Sequence, residues 1–102
     1  VTQNLLQSNP DIQGIFGCND VMALGAMAAC KSMNRKDIVI VGFDASAPGR
    51  QAIQEGSMAG SVAQYPGEMG RLGVEKALAV LKGEKLPDYL PTKVDVVSAS
   101  VR

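Results

Sequence analysis

Three apolar runs of the sequence end in polar side chains that suit the binding of hydroxyl groups. The runs cover residues 13–20, 38–44 and 58–64, and their polar residues are Asn19, Asp44 and Gln64. A side-chain amide both donates and accepts hydrogen bonds, and an ionised carboxylate accepts from two neighbouring hydroxyls through charge-assisted bonds. Together these groups predict recognition of a small polyhydroxylated molecule.

A helical pattern follows each of these runs, so strands and helices alternate along the chain. We expect strands at 12–17, 38–43, 58–64 and 94–97, and helices at 2–8, 21–33, 49–55 and 67–82. This order predicts an α/β fold of βα units with a parallel sheet. In open α/β sheets the ligand crevice lies outside the carboxyl ends of the strands, so the fold would bring the three polar residues to one edge.

The run 38–43 is β-branched and almost entirely apolar. Such a run is typical of a parallel strand that is buried on both faces. We therefore expect it to be the central and most buried strand, with 12–17 and 58–64 as its neighbours.

Each candidate ligand residue also has an ordinary structural interpretation. Asp44 could cap the following helix, and Asn19 could be a turn amide that satisfies the local backbone. From chemistry alone Gln64 carries the weakest signal, since a surface amide there needs no function. We expect Asp20 to be a helix N-cap without a ligand role, and Tyr65 to be a packing residue.

Composition argues against several other functions. Ten Lys and Arg balance ten Asp and Glu, so there is no basic surface to support nucleic-acid binding. Histidine is absent, which removes the usual general base and the commonest metal ligand. No G-x-S-x-G, P-loop or G-x-G-x-x-G motif occurs, so an enzyme on a flavodoxin-like or hydrolase-like fold is the weaker interpretation. We expect no catalytic residues, no cofactor and no metal site.

The two cysteines do not form a recognisable site. Cys18 falls at a strand end and Cys30 late in the next helix, about 15 Å further along it at 1.5 Å per residue. A disulfide requires Cα atoms within about 7 Å of each other, so we expect two buried free thiols.

The first residues already have the pattern of a helix interior. No N-cap residue stands ahead of the stretch 1–7, and no apolar leader segment precedes it in the sequence. We therefore expect the chain to be a fragment, or the tail of a longer chain.

Four segments resemble a known family, in order and over almost the whole chain. They are NPDIQGIF at 9–16, NDVMALG at 19–25, VGFD at 41–44 and VAQYP at 62–66. They are similar to the C-terminal third of the periplasmic sugar-binding proteins of ABC importers, and most of all to the ribose- and allose-binding group.

This resemblance implies two flavodoxin-like lobes joined by three crossing strands, with a pentose or hexose bound in the cleft between them. Asn19, Asp44 and Gln64 match sugar ligands of the second lobe and hinge. Residues 1–64 would be part of that lobe, and 65–102 would contain the hinge crossing, a first-lobe helix and a returning strand. The implied partners are the sugar and the membrane subunits of an ABC permease. The implied location is the periplasm, or the cell surface as a lipoprotein in a bacterium without an outer membrane.

The effector domains of lactose-repressor-type transcription regulators are the alternative. They share N-D-x-M-A-x-G and G-F-D, but a second Asp commonly follows the latter, and here Ala45 stands in that place. The stretch 54–64 also replaces the Pro-Leu-Thr-Thr-Val type of strand, so the transport receptor is favoured.

The resemblance places the stacking aromatics and a key arginine of the family upstream of Val1. We therefore expect the isolated chain to bind sugar poorly. The apolar side chains Leu72, Leu78 and Leu81 on the predicted helix 67–82 would also lack a partner, which favours self-association.

Overall fold

Helices and strands alternate throughout the computed structural model, which describes residues 1–100. The helices are α1 (Thr2–Ser8), α2 (Asp20–Ser32), α3 (Ala47–Gln54) and α4 (Pro66–Leu81), and the strands are β1 (Gly14–Phe16), β2 (Val39–Phe43), β3 (Gly60–Gln64) and β4 (Val94–Ser98). The strands form one sheet in the order β1-β2-β3-β4, and β2 runs parallel to both β1 and β3. The predicted α/β fold with parallel βα units is confirmed.

The chain divides into two compact units. Residues 1–63 and the stretch that begins at Asp95 form the first unit, and Gln64–Val94 forms the second. The first unit contains helices α1 to α3 and most of the sheet. The second contains α4, in which no residue is buried. The predicted assignment of 1–64 to one lobe and 65–102 to a hinge crossing and first-lobe helix concerns a complete two-lobe protein and stays a prediction.

Local chemistry sets the helix ends. Ser46 caps α3, and a proline stands within the first two positions of that helix, where its missing N–H costs no hydrogen bond. Gly56 follows α3 with a φ of 79°, and Gly83 follows α4 with a φ of 87°. This left-handed conformation strains other residues but not glycine, which makes glycine the common helix stop.

The core lies on one face of the sheet. Its buried members come from α1, α2 and α3, from strand β2 and from the segments that lead into β2 and β3: Leu6, Ala23, Cys30, Ile38, Ile40, Ala52, Ile53 and Met58. Successive side chains of a strand point to opposite faces, so the residues that alternate with Ile40 face away from these helices.

The expectation that β2 is buried on both faces is wrong. Val39 in β2 is 56% exposed, and Phe16, at the end of β1, is 58% exposed. More of β3 is buried than of β2, so β2 is not the most buried strand, although it does lie between the two predicted neighbours. The physical reason is that α1, α2 and α3 pack on the same face and leave the opposite face open.

Arg35 ties the turn after α2 to the loop before β1. Its guanidinium donates to the carbonyl oxygens of Pro10 and Ile12, both at 3.0 Å, and to both carboxylate oxygens of Asp37 at 2.8 Å. The hydrogen bond from Arg35 lowers the pKa of Asp37 from 3.8 to about 2. Because the folded pKa lies below the unfolded one, the pair contributes to stability above about pH 4, and this contribution is lost as the pH falls towards 2.

The pH dependence of this pair can be tested with Arg35→Met. The substitution removes the donor that holds the Asp37 carboxylate, so the pKa of Asp37 should return towards 3.8. Carbon-detected NMR titration of the side-chain carboxyl measures it directly. Lys36→Met is the matched control, since it removes a neighbouring cation that makes no hydrogen bond to Asp37. The pKa of Asp37 should stay at about 2 in this variant. Titration of Asp37 near 4 in the wild-type protein would contradict the ion-pair geometry.

Gly17 permits close contact between the end of β1 and helix α2. A Cβ at this position would lie 2.5 Å from the backbone nitrogen of Ala23 and 2.8 Å from its Cα. The third near atom is the Cβ of Ala23, which is attached directly to that backbone, so none of the three can move aside as the end of a flexible side chain could. Glycine is therefore required here by packing.

Gly17→Ala should lower the free energy of unfolding by about 1–3 kcal/mol, the usual cost of overpacking. Gly25→Ala is the matched control within α2, because a Cβ there would meet no atom within 4 Å. It should raise the free energy of unfolding by roughly 0.5–1 kcal/mol, since alanine favours the helix. Urea denaturation followed by circular dichroism measures both variants. Equal effects of the two substitutions would show that α2 does not pack on Gly17.

Candidate functional site

Asn19 lies in the turn between β1 and α2 and caps that helix. Its backbone is extended, with φ −151° and ψ 170°, and its Oδ1 accepts from the backbone N–H of Met22 at 2.8 Å. The interpretation as an amide that satisfies the local backbone is therefore confirmed for the oxygen. The cap leaves the Nδ2 donors of the half-buried amide for other partners, so capping and ligand binding are compatible.

Asp20 has a different role from the one expected. Asn19 is the N-cap, and Asp20 is the first residue of α2, so the prediction that Asp20 caps the helix is wrong. Its side chain is only 1% exposed and accepts from three donors. They are the backbone N–H of Ser46 at 2.7 Å, the hydroxyl of Ser46 at 2.8 Å and the hydroxyl of Ser61 at 2.6 Å. This buried carboxylate joins the start of α2 to the loop after β2 and to strand β3.

Two glycines make room for this carboxylate. A Cβ built on Gly42 or on Gly49 would overlap the carboxylate oxygens of Asp20. Both glycines are buried, and neither has a φ in the left-handed region. The space that they leave, and not their conformational freedom, is what places glycine at these positions.

Asp44 follows β2 directly and sits on a strained backbone. Its φ is 112° and that of Ala45 is 50°, although neither residue is glycine. Such conformations cost of order 1–3 kcal/mol each and persist only where the surroundings enforce them. Here the Asp44 N–H donates to the Val62 carbonyl at 2.8 Å, the Ala45 N–H donates to the Ser61 hydroxyl at 3.0 Å, and Arg50 Nε donates to the Ala45 carbonyl at 2.8 Å.

The alternative interpretation of Asp44 as a helix cap is wrong. The cap of α3 is Ser46, whose hydroxyl oxygen accepts from the backbone N–H of Gly49 at 3.2 Å. The side chain of Asp44 is exposed at the carboxyl end of β2. A carboxylate carried on a hydrogen-bonded backbone therefore lies where α/β sheets bind ligands.

Gln64 is the last residue of β3, and Tyr65 occupies the N-cap position of α4 without capping through its side chain. Gln64 is half-buried. The ring of Tyr65 lies under the ammonium group of Lys93, 5.3 Å from nitrogen to ring centroid. This cation–π contact occupies one face of the ring.

Ser46 and Ser61 are the structural residues of this region that the sequence reasoning missed. Ser46 did carry a signal, since a serine two residues before Pro48 is a typical helix start. Ser61 interrupts an otherwise apolar and small-residue run, and such a residue is buried only when it is hydrogen-bonded. Nothing in the sequence around Asp20 indicates that its side chain accepts hydrogen bonds from these two serines.

Other chemistry has little support among the described residues. Cys18 and Cys30 are both free thiols, but only Cys30 is buried; Cys18 is exposed in the turn after β1, so the expectation of two buried thiols is half wrong. Residues 1–100 contain no group of three or more Cys, Asp or Glu side chains placed to hold a metal ion. Over the same residues, no helix has both the length and the apolar character that crossing a membrane requires.

Asn19 and Asp44 thus follow the neighbouring parallel strands β1 and β2 at their carboxyl ends, where α/β sheets bind ligands. The family described as Periplasmic binding protein domain matches residues 1–85. The chain therefore belongs to the periplasmic binding protein family, and the resemblance seen in the sequence is confirmed.

Individual relatives agree with this assignment. The ribose import binding protein of Escherichia coli K12 is 43% identical over 97 residues, which cover 95% of this chain and 33% of that protein. The ribose import binding protein of Haemophilus influenzae is 48% identical over 98 residues, with coverage of 96% and 33%. A solute binding protein of an ABC transporter from Actinobacillus succinogenes, solved with bound D-allose, has a TM-score of 0.78 and 28% identity over 97% of this chain and 35% of that one. This chain thus spans about a third of the length of these relatives, whose names describe import or solute binding proteins.

Proposed function

We propose that this chain is the segment of a sugar-binding receptor that supplies Asn19, Asp44 and Gln64 to the bound ligand. The receptor would serve an ABC importer and would bind a pentose or hexose by hydrogen bonds between two lobes. The observation that carries the proposal is the exposed carboxylate of Asp44, held on a strained turn at the carboxyl end of β2.

The strained turn at Asp44 favours a ligand role because its hydrogen bonds order the backbone that carries the acceptor before the ligand arrives. The backbone N–H groups of Asp44 and Ala45 and the carbonyl of Ala45 each have a hydrogen-bond partner. A group that is already ordered loses little conformational entropy on binding, so more of the interaction energy becomes affinity. A carboxylate in this state can accept from two adjacent sugar hydroxyls.

Asn19 complements Asp44 by donating hydrogen bonds. Its oxygen is engaged by the Met22 N–H, so its Nδ2 would donate to a hydroxyl or ring oxygen of the sugar. Gln64, at the end of β3, would supply a second amide that can both donate and accept. Donors and acceptors of this kind discriminate between sugars through the orientation of each hydroxyl.

The names of the relatives support the substrate class and the partner. They are import binding proteins for ribose, and another relative, at 33% identity, is the D-allose-binding periplasmic protein of Escherichia coli. Transferred to this chain, they support a monosaccharide ligand, a permease of the ABC type as partner, and a location in the periplasm or on the cell surface as a lipoprotein. They support a receptor without enzymatic activity and do not favour the transcription-regulator alternative.

Asp44→Ala tests the central assignment. In the full-length natural protein that carries these residues, the substitution should weaken sugar binding roughly 10- to 150-fold, because a hydrogen bond to a charged group contributes about 1.5–3 kcal/mol. Isothermal titration calorimetry with D-ribose, D-allose and D-glucose identifies the ligand and measures the loss. Asp11→Ala removes an exposed carboxylate elsewhere and should leave affinity unchanged. Unchanged affinity in Asp44→Ala would exclude Asp44 as a ligand.

Substitutions of Asn19 separate its two roles. Asn19→Ser keeps an oxygen that can cap α2 but removes the amide donor, so stability should be retained while sugar affinity falls. Asn19→Ala removes both groups, and the free energy of unfolding should also fall by about 1 kcal/mol. Thermal denaturation and calorimetry on both variants provide the comparison. If Asn19→Ser binds sugar as well as the wild-type protein, Asn19 is a cap only.

A further inference from the structure

The proposed binding of sugar makes no use of Asp20, although this carboxylate is the most completely buried charged group in residues 1–100. We propose that Asp20 is a positioning residue that holds the Asp44–Ala45 turn in its ligand-binding geometry through the hydroxyls of Ser61 and Ser46. The proposal rests on the proposed function, since it takes Asp44 to be the sugar ligand. It assigns to Asp20 a role that the capping interpretation did not contain.

The Ser61 hydroxyl connects Asp20 to the strained turn. A hydroxyl has one hydrogen to donate and two lone pairs that accept. Ser61 donates its hydrogen to Oδ1 of Asp20 at 2.6 Å and accepts from the backbone N–H of Ala45 at 3.0 Å. Because Asp20 takes the hydrogen, the lone pairs of Ser61 stay directed at the strained turn.

Ser46 attaches the other end of the turn to the same carboxylate. Its backbone N–H and its hydroxyl both donate to Oδ2 of Asp20, at 2.7 and 2.8 Å. With its hydrogen engaged, the Ser46 oxygen accepts from the N–H of Gly49 and begins α3. The backbone from Ala45 to Ser46 is therefore fixed to Asp20 from both sides.

The site specifies a carboxylate and not an amide. All three groups that contact Asp20 donate to it. An asparagine amide would direct two N–H donors at one of these sides. A backbone N–H cannot reverse its direction, so the amide nitrogen would have to face Ser61, whose hydrogen would then lose its buried acceptor.

The space around Asp20 and the strained backbone of the turn agree with this role. The overlap that a Cβ on Gly42 or Gly49 would make with the carboxylate shows that these two glycines leave the space in which the Asp20 side chain lies. Asp44 and Ala45 have φ values of 112° and 50°, a conformation that relaxes once its restraints are removed. When only a fraction of molecules has the competent turn, the apparent affinity falls to that fraction of its intrinsic value.

Asp20→Asn in the full-length natural protein provides the test. We expect a folded protein in which hydrogen exchange at the Ala45 amide is faster and sugar affinity is about tenfold lower, corresponding to a turn that is competent about a tenth of the time. NMR-detected hydrogen exchange and calorimetry with the best-bound sugar among D-ribose, D-allose and D-glucose give the two values. Asp11→Asn controls for loss of a carboxylate. Ile53→Val, in the core part of α3, controls for loss of stability without loss of the network.

The outcomes distinguish positioning from general support of the fold. Wild-type affinity in Asp20→Asn, or a loss no greater than that of Ile53→Val, would overturn the proposal while leaving Asp44 as the ligand. Unchanged affinity in Asp44→Ala would overturn the proposed sugar contact instead, and the exchange rate at Ala45 would still report whether Asp20 holds the turn. If Asp20→Asn does not fold, Ser61→Ala removes the acceptor of the Ala45 N–H together with one of the three donors to Asp20, and it leaves the carboxylate and both Ser46 hydrogen bonds in place. Unchanged exchange and affinity in that variant would also overturn the positioning role.

Discussion

Hydrogen bonding to the buried carboxylate of Asp20 is the interaction on which the carboxyl edge of the sheet depends. The carboxylate joins the start of α2, the loop after β2 and strand β3 through hydrogen bonds that it can only accept. A charged acceptor in a dry environment is costly unless its partners are complete, and here each of its oxygens has a partner. The cost of burial therefore fixes where these three elements meet, and with them the position of Asp44.

The same hydrogen bonds explain why glycine and alanine are frequent around Asp20. Gly42 and Gly49 leave the volume that the carboxylate fills, and Ala23 lies against Gly17 at the neighbouring strand end. Close approach of backbone to backbone makes the edge rigid with few large side chains. Rigidity of this kind would serve the proposed sugar contact, because the discrimination of hydroxyl orientation depends on fixed donors and acceptors.

Asn19 shows how one side chain can cap a helix and still keep donors for a second role, here the proposed sugar contact. Its oxygen satisfies an N–H of the first turn of α2, and its amide nitrogen remains available on the side of the strand end. The cap fixes the side chain without occupying its donors.

One face of the sheet is open and apolar. Phe16, Val39 and Val96 are more than half exposed there, while α1, α2 and α3 pack on the other face.

The sequence by itself determined the order of elements, the limits of the helices to within two residues, and the class of the protein. These features depend on local signals, namely the 3.6-residue period, the glycine stops and the strand-end motifs, which act over a few residues. It also singled out Asn19, Asp44 and Gln64, by their places at the ends of apolar runs and by the family resemblance.

Only the tertiary structure decided the role of Asp20, the strain at Asp44 and Ala45, and the one-sided burial of β2. The partners of Asp20 lie 26 and 41 residues away in the sequence. No local pattern specifies such pairs, because they form only when two βα units pack together. Burial of a strand likewise depends on which face the helices cover, and a run of apolar residues such as 38–43 is compatible with either one covered face or two.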